Sequence, residues 1–133
     1  MRVERQLSLI LENQPGVLAE VSGDLAEQGI NVEAIHVTNL ADHCVVRMVV
    51  SDPQRALHLL GEAGAIVFES EILAIPLTNR PGALAEVARR IGKAKVNIDY
   101  LYATTVPRGR QSTLYLLVSD VEKAKRALRG FRA

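Results

Sequence analysis

Apolar residues recur along this chain in two periods, one typical of strands and the other of helices. The runs RQLSLIL (5–11) and EILAIPL (71–77) are apolar and rich in residues that favour strands, and each predicts a β-strand. From Val17 to Leu25, and again from Ala83 to Ile91, apolar residues return on one face at the helical period. Each of these segments therefore predicts an amphipathic helix that follows a strand.

The segment that joins the predicted strand to the predicted helix occurs twice in the sequence. NQPGVLAEV at 13–21 returns as NRPGALAEV at 79–87. Aligning residues 13–32 with 79–98 gives eight identities in twenty positions. An internal repeat of this kind indicates that the chain consists of two copies of one structural unit.

Further signals complete the same order of elements in both copies. Pro15 and Pro81 stand where a helix is predicted to begin, because a proline in the first turn gives up an N–H group that has no partner there. Asp52 and Asp120 are predicted N-caps of second helices. The remaining strands are predicted in INVEAIHVTN (30–39), HCVVRMVVS (43–51), AIVFES (65–70), VNIDYLYATT (96–105) and QSTLYLLVS (111–119). The order strand, helix, strand, strand, helix, strand is that of the ferredoxin-like split βαβ unit.

The predicted fold is therefore α+β, with two ferredoxin-like βαββαβ units side by side, antiparallel sheets, and the helices on one face. The first domain is assigned to residues 1–70 and the second to residues 71–133. Only 13 residues follow Asp120, so the second domain lacks its own last strand. Residues 65–77 contain no Gly, Asn or Asp and are predicted to form one long strand. Two alternatives are open at the vacant edge: Met1–Arg5 fill it in part, or it stays short or pairs with another subunit.

Composition and charge argue against several classes of protein. The net charge of +1 does not suit a nucleic-acid-binding protein, which normally has a strong basic excess. Cys44 is the only cysteine, so no internal disulfide can form and a reducing compartment is expected. The N-terminal residues MRVERQLS lack the apolar core of a signal peptide, and no apolar run approaches the ~20 residues that span a bilayer. We therefore expect a cytoplasmic protein without nucleic-acid or membrane partners.

Catalytic and metal-binding signals are weak. The sequence shows neither a Ser/His/Asp or Cys/His set nor a phosphate-binding Gly-rich loop, so neither enzymatic activity nor a cofactor is expected. His36, His43 and Cys44 match no zinc spacing, and strand alternation places His43 and Cys44 on opposite faces, so no metal is expected. Tyr100 and Tyr102 share a strand face that either is an exposed docking surface or packs under the other half of the chain.

The repeated Pro-Gly loop is the strongest candidate for a binding site. A helix N-terminus presents unpaired N–H groups and a partial positive charge, which suit a carboxylate. Gly16 and Gly82 leave these N–H groups uncovered, and Asn13 and Asn79 offer a donor and an acceptor, the latter suited to an ammonium group. An α-amino acid carries both charges within a short distance and fits such a loop. The alternative is that each asparagine only caps the helix through an Asx turn.

The loop also carries a resemblance to a known family. A motif [DN]-x-P-G-x-L between a first strand and a first helix, followed about eighteen residues later by INV or VNI, resembles the ACT domain, here in two tandem copies over nearly the whole chain. The resemblance implies a second ligand-binding asparagine from a neighbouring domain, so that Asn13 faces Asn97 and Asn79 faces Asn31; the alternative is that Asn31 and Asn97 only cap the preceding helix. The expected ligand-binding residues are Asn13, Pro15, Gly16, Val17, Leu18, Asn31, Asn79, Pro81, Gly82, Ala83, Leu84 and Asn97.

The function implied by this resemblance is regulatory and allosteric. ACT domains are small ligand-binding modules that are commonly attached to amino-acid metabolic enzymes. We therefore expect a protein that senses an amino acid at the interface between its two ACT domains, works as a homodimer, and has a metabolic enzyme as a partner. The alternative is a ligand-free interaction or assembly subunit that docks on such an enzyme. Leu11 and Leu77 stand where some serine-sensing ACT domains carry His, which favours a ligand with an apolar side chain.

Overall fold

The computed structural model describes residues 1–104 and 106–133, and it has an α+β fold of six strands and four helices in that part of the chain. Thr105, the last residue of one predicted strand, lies outside the described residues. The elements in chain order are β1 (Arg2–Glu12), α1 (Val17–Glu27), β2 (Val32–Leu40), β3 (His43–Val50), α2 (Pro53–Glu62), β4 (Ile66–Thr78), α3 (Ala83–Lys93), β5 (Ile98–Ala103), β6 (Gln111–Val118) and α4 (Val121–Ala127).

The chain divides into two compact units. The first unit is Arg5–Ser70, and the second consists of Met1–Glu4 together with Glu71–Ala133. Strands β1 and β4 are long, with 11 and 13 residues, and each contributes residues to both units. The long β4 confirms the prediction of one uninterrupted strand through residues 65–77, because no residue in that segment favours a turn.

The first unit has the ferredoxin-like strand order β2-β3-β1-β4. Its strands pair antiparallel, with Leu9 opposite Val46 and Val46 opposite Val37. Alternate residues of β1 and β3 face the two helices, because successive side chains of a strand point to opposite faces. The buried core of this unit consists of Leu7, Leu9, Val21, Leu25, Ile30, Val46, Met48, Val50, Ala56 and Leu60.

The second unit repeats this plan in the order β5-β6-β4-β1. Leu73 lies opposite Leu116, which in turn lies opposite Leu101. Residues 128–133, all described, form no strand, and the N-terminal residues Met1–Glu4 belong to this unit. Its buried core consists of Leu73, Ile75, Leu77, Ala83, Val87, Ile91, Val96, Leu114, Leu116, Val118, Ala124 and Leu128.

The second helix of each unit begins as predicted. The Asp52 carboxylate accepts a hydrogen bond from the backbone N–H of Arg55 at 3.1 Å, and the Asp120 carboxylate accepts one from Lys123 at 3.0 Å. Each carboxylate satisfies one of the four N–H groups that a helix N-terminus leaves without a partner. Both N-cap predictions are confirmed. Within the described residues, no helix is long and apolar enough to cross a membrane.

Two tyrosines of the second unit, Tyr102 and Tyr115, are buried and packed against each other. Tyr102 is 9% exposed and Tyr115 is 3% exposed, and their rings stack with centroids 5.3 Å apart. Offset stacking of this kind stabilises a pair of aromatic side chains that share a sheet face. The interpretation of Tyr102 as part of an exposed docking surface is therefore wrong.

Candidate functional site

Each Pro-Gly loop turns into its helix through a left-handed glycine. Gly16 has φ 89° and ψ −13°, and Gly82 has φ 86° and ψ −13°. Both glycines are the N-cap residues, so the helices begin at Val17 and Ala83, two residues after the prolines at which they were expected to begin. The prediction that Pro15 and Pro81 stand in the first helical turn is wrong, because the positive φ of the following glycine interrupts the helical path.

The loop asparagines fasten each loop to the hairpin of their own unit. The Asn13 Nδ2 donates to the Oδ1 of Asn39 at 3.0 Å and to the carbonyl oxygen of Ala41 at 3.1 Å. The Asn79 Nδ2 donates to the carbonyl oxygen of Val106 at 2.8 Å. Among the described residues, no side chain caps either helix by a hydrogen bond. The alternative in which the loop asparagines cap the helices therefore does not describe this structure.

Backbone hydrogen bonds strengthen the same connection in the second unit. The backbone N–H of Asn79 donates to the carbonyl oxygen of Arg110, and that of Gly109 donates to the carbonyl oxygen of Asn79, both at 2.8 Å. Among the described residues, the exposed Asn79 side chain donates through its Nδ2, and its Oδ1 accepts no hydrogen bond. This oxygen can take a hydrogen from an ammonium group.

The N-terminus of α3 offers several donors to a ligand. Its first helical hydrogen bond runs from the N–H of Glu86 to the carbonyl oxygen of Gly82 at 3.0 Å. The N–H of Ala83 donates to the backbone carbonyl oxygen of Arg80 at 3.3 Å. In the described part of the chain, the N–H groups of Gly82, Leu84 and Ala85 have no acceptor. Unpaired N–H groups at a helix start, together with the positive end of the helix dipole, favour an anion.

A cavity of about 330 Å³ lies beside the second loop. Its apolar wall includes Leu77 and Ala83, which are 8% and 2% exposed. Its full lining is Leu77, Thr78, Asn79, Arg80, Ala83, Leu84, Ala103, Thr104, Val106 and Ser112. Among the residues expected at this loop, the cavity therefore brings together Asn79, Ala83 and Leu84; Pro81 and Gly82 lie between Asn79 and Ala83 in the chain.

Sequence reasoning missed the hydroxyl side chains of this cavity. Thr78 ends β4, Ser112 lies opposite Leu77 in β6, and Thr104 follows β5. The Ser112 hydroxyl donates to the carbonyl oxygen of Leu77 at 3.1 Å. The register between the first and third strands would have identified Ser112 beforehand, since the third strand lies next to the first in the ferredoxin-like order.

The asparagines that begin the second strands lie at the other end of their own sheets. The N–H of Asn31 donates to the hydroxyl of Ser51 at 2.9 Å, and that of Asn97 donates to the hydroxyl of Ser119 at 3.0 Å. In the first unit, Asn31 precedes the start of β2, whereas Asn13 contacts Asn39 near the end of that strand. A unit does not bring its own two asparagines together. That Asn97 faces Asn13 and that Asn31 faces Asn79 stays a prediction.

Other polar clusters show no comparable arrangement. No group of three or more His, Cys, Asp or Glu side chains that could hold a metal ion occurs among residues 1–104 and 106–133. The His43 Nδ1 lies 2.8 Å from the Asp42 Oδ1, and this hydrogen bond is the largest cause that holds the pKa of the Asp42 carboxyl below its ordinary value. Both residues belong to the exposed hairpin of the first unit.

Comparison with known proteins agrees with the fold and the loop. The sequence-family model that describes the ACT domain pair matches residues 1–129 of this chain. The chain therefore belongs to the ACT domain pair family, and the predictions of an ACT pair and of an α+β ferredoxin-like fold are confirmed. ACT domains are regulatory modules. No curated protein matches the chain.

Solved structures with the same fold cover nearly the whole chain. Protein BT0572 from Bacteroides thetaiotaomicron has a TM-score of 0.90 and 32% sequence identity, over 96% of this chain and 88% of that one. The regulatory subunit of aspartate kinase from Thermus thermophilus has a TM-score of 0.71 and 22% identity, with 99% of both chains covered. The corresponding subunit from Thermus flavus has a TM-score of 0.65 and 22% identity, over 97% of this chain and 94% of that one. At 22% identity, the two Thermus structures show a shared fold.

Proposed function

We propose that this protein is a small-molecule-binding regulatory protein that senses an amino acid at the Pro-Gly loops of its ACT domains. The observation that carries the proposal is the second loop, where a cavity of about 330 Å³ adjoins a helix N-terminus with unpaired N–H groups. The carboxylate of an amino acid would accept hydrogen bonds from these N–H groups, and its ammonium group would donate to the Asn79 Oδ1. The residues of the first loop, Asn13 to Leu18, form the corresponding site.

A ligand at this position would act on the arrangement of the loop and its hairpin. Asn79 joins the loop to the hairpin through side-chain and backbone hydrogen bonds, so a ligand that contacts Asn79 and the helix favours the conformation in which all three are ordered. At 100 times its dissociation constant, a ligand that binds only this conformation stabilises it by about 2.7 kcal/mol. That free energy is sufficient to shift an association equilibrium.

A thermal-shift screen against the twenty amino acids tests the proposal. We expect one chemical class to raise the melting temperature, and we expect at least one of the variants Asn79→Ala and Asn13→Ala to abolish the rise. Gln54→Ala is the matched control, because it also removes an exposed carboxamide, from α2 rather than from a Pro-Gly loop. If Gln54→Ala abolishes the rise as well, or if no amino acid raises the melting temperature, the proposed sensor function is wrong.

A second candidate function rests on exposed apolar side chains of β2. Ile35, Val37 and Leu40 are 45%, 46% and 47% exposed on the outermost strand of the first unit. Exposed apolar residues on an edge strand favour association with another chain. They support a homodimer or, in the alternative without a ligand, a subunit that docks on a metabolic enzyme. Light scattering after size-exclusion chromatography should show a dimer for the unmodified protein and a monomer for Val37→Lys. A monomeric mass for both proteins would contradict the homodimer.

A further inference from the structure

The two Pro-Gly loops carry opposite charge. In the first unit, the loop (12–20) and the hairpin it contacts (39–44) contain Glu12, Glu20 and Asp42 and neither Lys nor Arg. In the second unit, the loop (78–86) and its hairpin (104–112) contain three arginines, Arg80, Arg108 and Arg110, and one carboxylate, Glu86. The two copies therefore share the loop motif, but the net charges of the residues around it have opposite signs.

Backbone hydrogen bonds hold these charged residues next to the loops. The carbonyl oxygen of Arg110 accepts from the N–H of Asn79 at 2.8 Å, and that of Asp42 accepts from the N–H of Asn13 at 3.3 Å. The two residues thus occupy corresponding places, one cationic and one anionic. A carboxylate that approaches the second loop is attracted, and one that approaches the first loop is repelled.

Arg80 lines the cavity and places a positively charged guanidinium group there. Its side chain is 45% exposed, and its Nη2 lies 3.8 Å from the Glu86 Oε2. Glu86 also lies 3.4 Å from Arg90 on the next turn of α3, so a single carboxylate is shared between two guanidinium groups. The three side chains together carry a net positive charge, and of the three it is Arg80 that lines the cavity.

The polar side chains of the cavity offer several hydrogen-bond donors. The Thr104 Oγ1 accepts a hydrogen bond from the N–H of Thr113 at 3.0 Å, which leaves its hydroxyl hydrogen for a ligand. Thr78 supplies a second hydroxyl, where the first unit has the carboxylate of Glu12. The Asn79 Oδ1 is sufficient for one ammonium group, whereas the donors outnumber what one carboxylate requires.

Building on the proposed function, we propose that the cavity beside Arg80 is the ligand site of this protein and that it selects an acidic amino acid. One carboxylate lies at the N-terminus of α3, and the second lies among Arg80 and the threonine hydroxyls. The first loop, which has three carboxylates in the loop and its hairpin together, does not bind this ligand. The cavity beside the second loop therefore selects its ligand by charge. This differs from the ligand with an apolar side chain that Leu77 suggested.

Isothermal titration calorimetry of the intact chain with four amino acids tests this proposal. L-aspartate and L-asparagine have nearly the same shape and differ by one charge, as do L-glutamate and L-glutamine. We expect an acidic amino acid to bind with a stoichiometry of one per chain and at least tenfold more tightly than its amide. Because the charges are exposed, the preference should shrink as the ionic strength rises.

Two arginine variants identify the source of the preference. Arg80→Gln introduces the residue that the first loop has at the corresponding position, Gln14. We expect it to weaken binding of the acidic amino acid by roughly threefold to tenfold and to leave the affinity for the amide unchanged. Arg89→Gln, an equal loss of charge at an exposed position of α3, should change the affinity by less than about twofold.

The outcomes separate this inference from the proposed function. Equal affinity for acid and amide, two ligands per chain, or equal effects of Arg80→Gln and Arg89→Gln would overturn the inference. If a neutral amino acid binds and Asn79→Ala abolishes its binding, the sensor function stands and the acidic selectivity is wrong. If no amino acid binds at all, both are wrong.

Discussion

Two glycine-to-alanine substitutions in the first unit should change its stability in opposite directions. Gly16, the N-cap residue of α1, has φ 89°, a conformation that costs an L-residue about 1–2 kcal/mol. Gly23 is an exposed residue in the middle of the same helix, where alanine is better than glycine by roughly 0.5–1 kcal/mol. We expect Gly16→Ala to destabilise the protein and Gly23→Ala to stabilise it.

The magnitude at Gly16 follows from conformation alone. A Cβ built on either glycine meets no atom of the described residues within 4 Å, so steric contact contributes to neither variant. Alanine also restricts the unfolded chain, which stabilises the folded state by about 0.4–1 kcal/mol and offsets part of the cost at Gly16. The net destabilisation by Gly16→Ala is about 1 kcal/mol, and the two variants should differ by roughly 2 kcal/mol.

Equilibrium unfolding in urea measures this difference directly. Both substitutions replace glycine by alanine in one unit, so the midpoints can be compared at a common slope with denaturant. A Gly16→Ala variant that is as stable as the natural protein, or that gains as much stability as Gly23→Ala, would refute the left-handed N-cap. Gly82→Ala, with φ 86°, should be destabilised like Gly16→Ala.

Three further perturbations test other parts of the structure. Asp120→Ala removes the hydrogen bond to the N–H of Lys123 and should cost about 1 kcal/mol in urea unfolding, whereas Asp120→Asn should cost much less; equal losses would contradict the cap. Ile91→Ala removes most of a fully buried side chain and should lower the free energy of unfolding by roughly 2–5 kcal/mol, measured by calorimetry. A smaller decrease would show that the core is not closely packed there. The Asp42 carboxyl should titrate below 3.8 in an NMR experiment, and His43→Ala should raise its pKa towards that value. Because the folded pKa is the lower one, this contact stabilises the fold above pH 3.8 and is lost as the pH falls through the folded value; an unchanged titration in His43→Ala would contradict it.

Short-range patterns predicted most of the fold. The amphipathic helices, the Asp52 and Asp120 caps and the long β4 depend on residues that are close in sequence, and each can be recognised from spacing and residue type. The start of the first helix could not, because proline suits both the first helical turn and the turn before it. Only the positive φ of Gly16 and Gly82 distinguishes the two.

The candidate site was predicted in part, for a physical reason. Asn79 belongs to the repeated motif and could be identified locally, but its hydrogen-bond partner Val106 lies 27 residues further along the chain. Thr104 and Ser112 reach the cavity only through strand pairing, which a local motif does not specify. The opposed charges of the two loops likewise acquire meaning only when each hairpin is placed beside its own loop.

The most direct test of the proposed sensor observes the backbone N–H groups at the start of α3. In a titration of ¹⁵N-labelled protein with the amino acid that gives the largest thermal shift, the account predicts saturable changes in the NMR signals of Gly82, Leu84 and Ala85. It also predicts that Asn79→Ala abolishes these changes. Signals at the start of α3 that stay unchanged while others saturate would contradict the Pro-Gly loop as the ligand site.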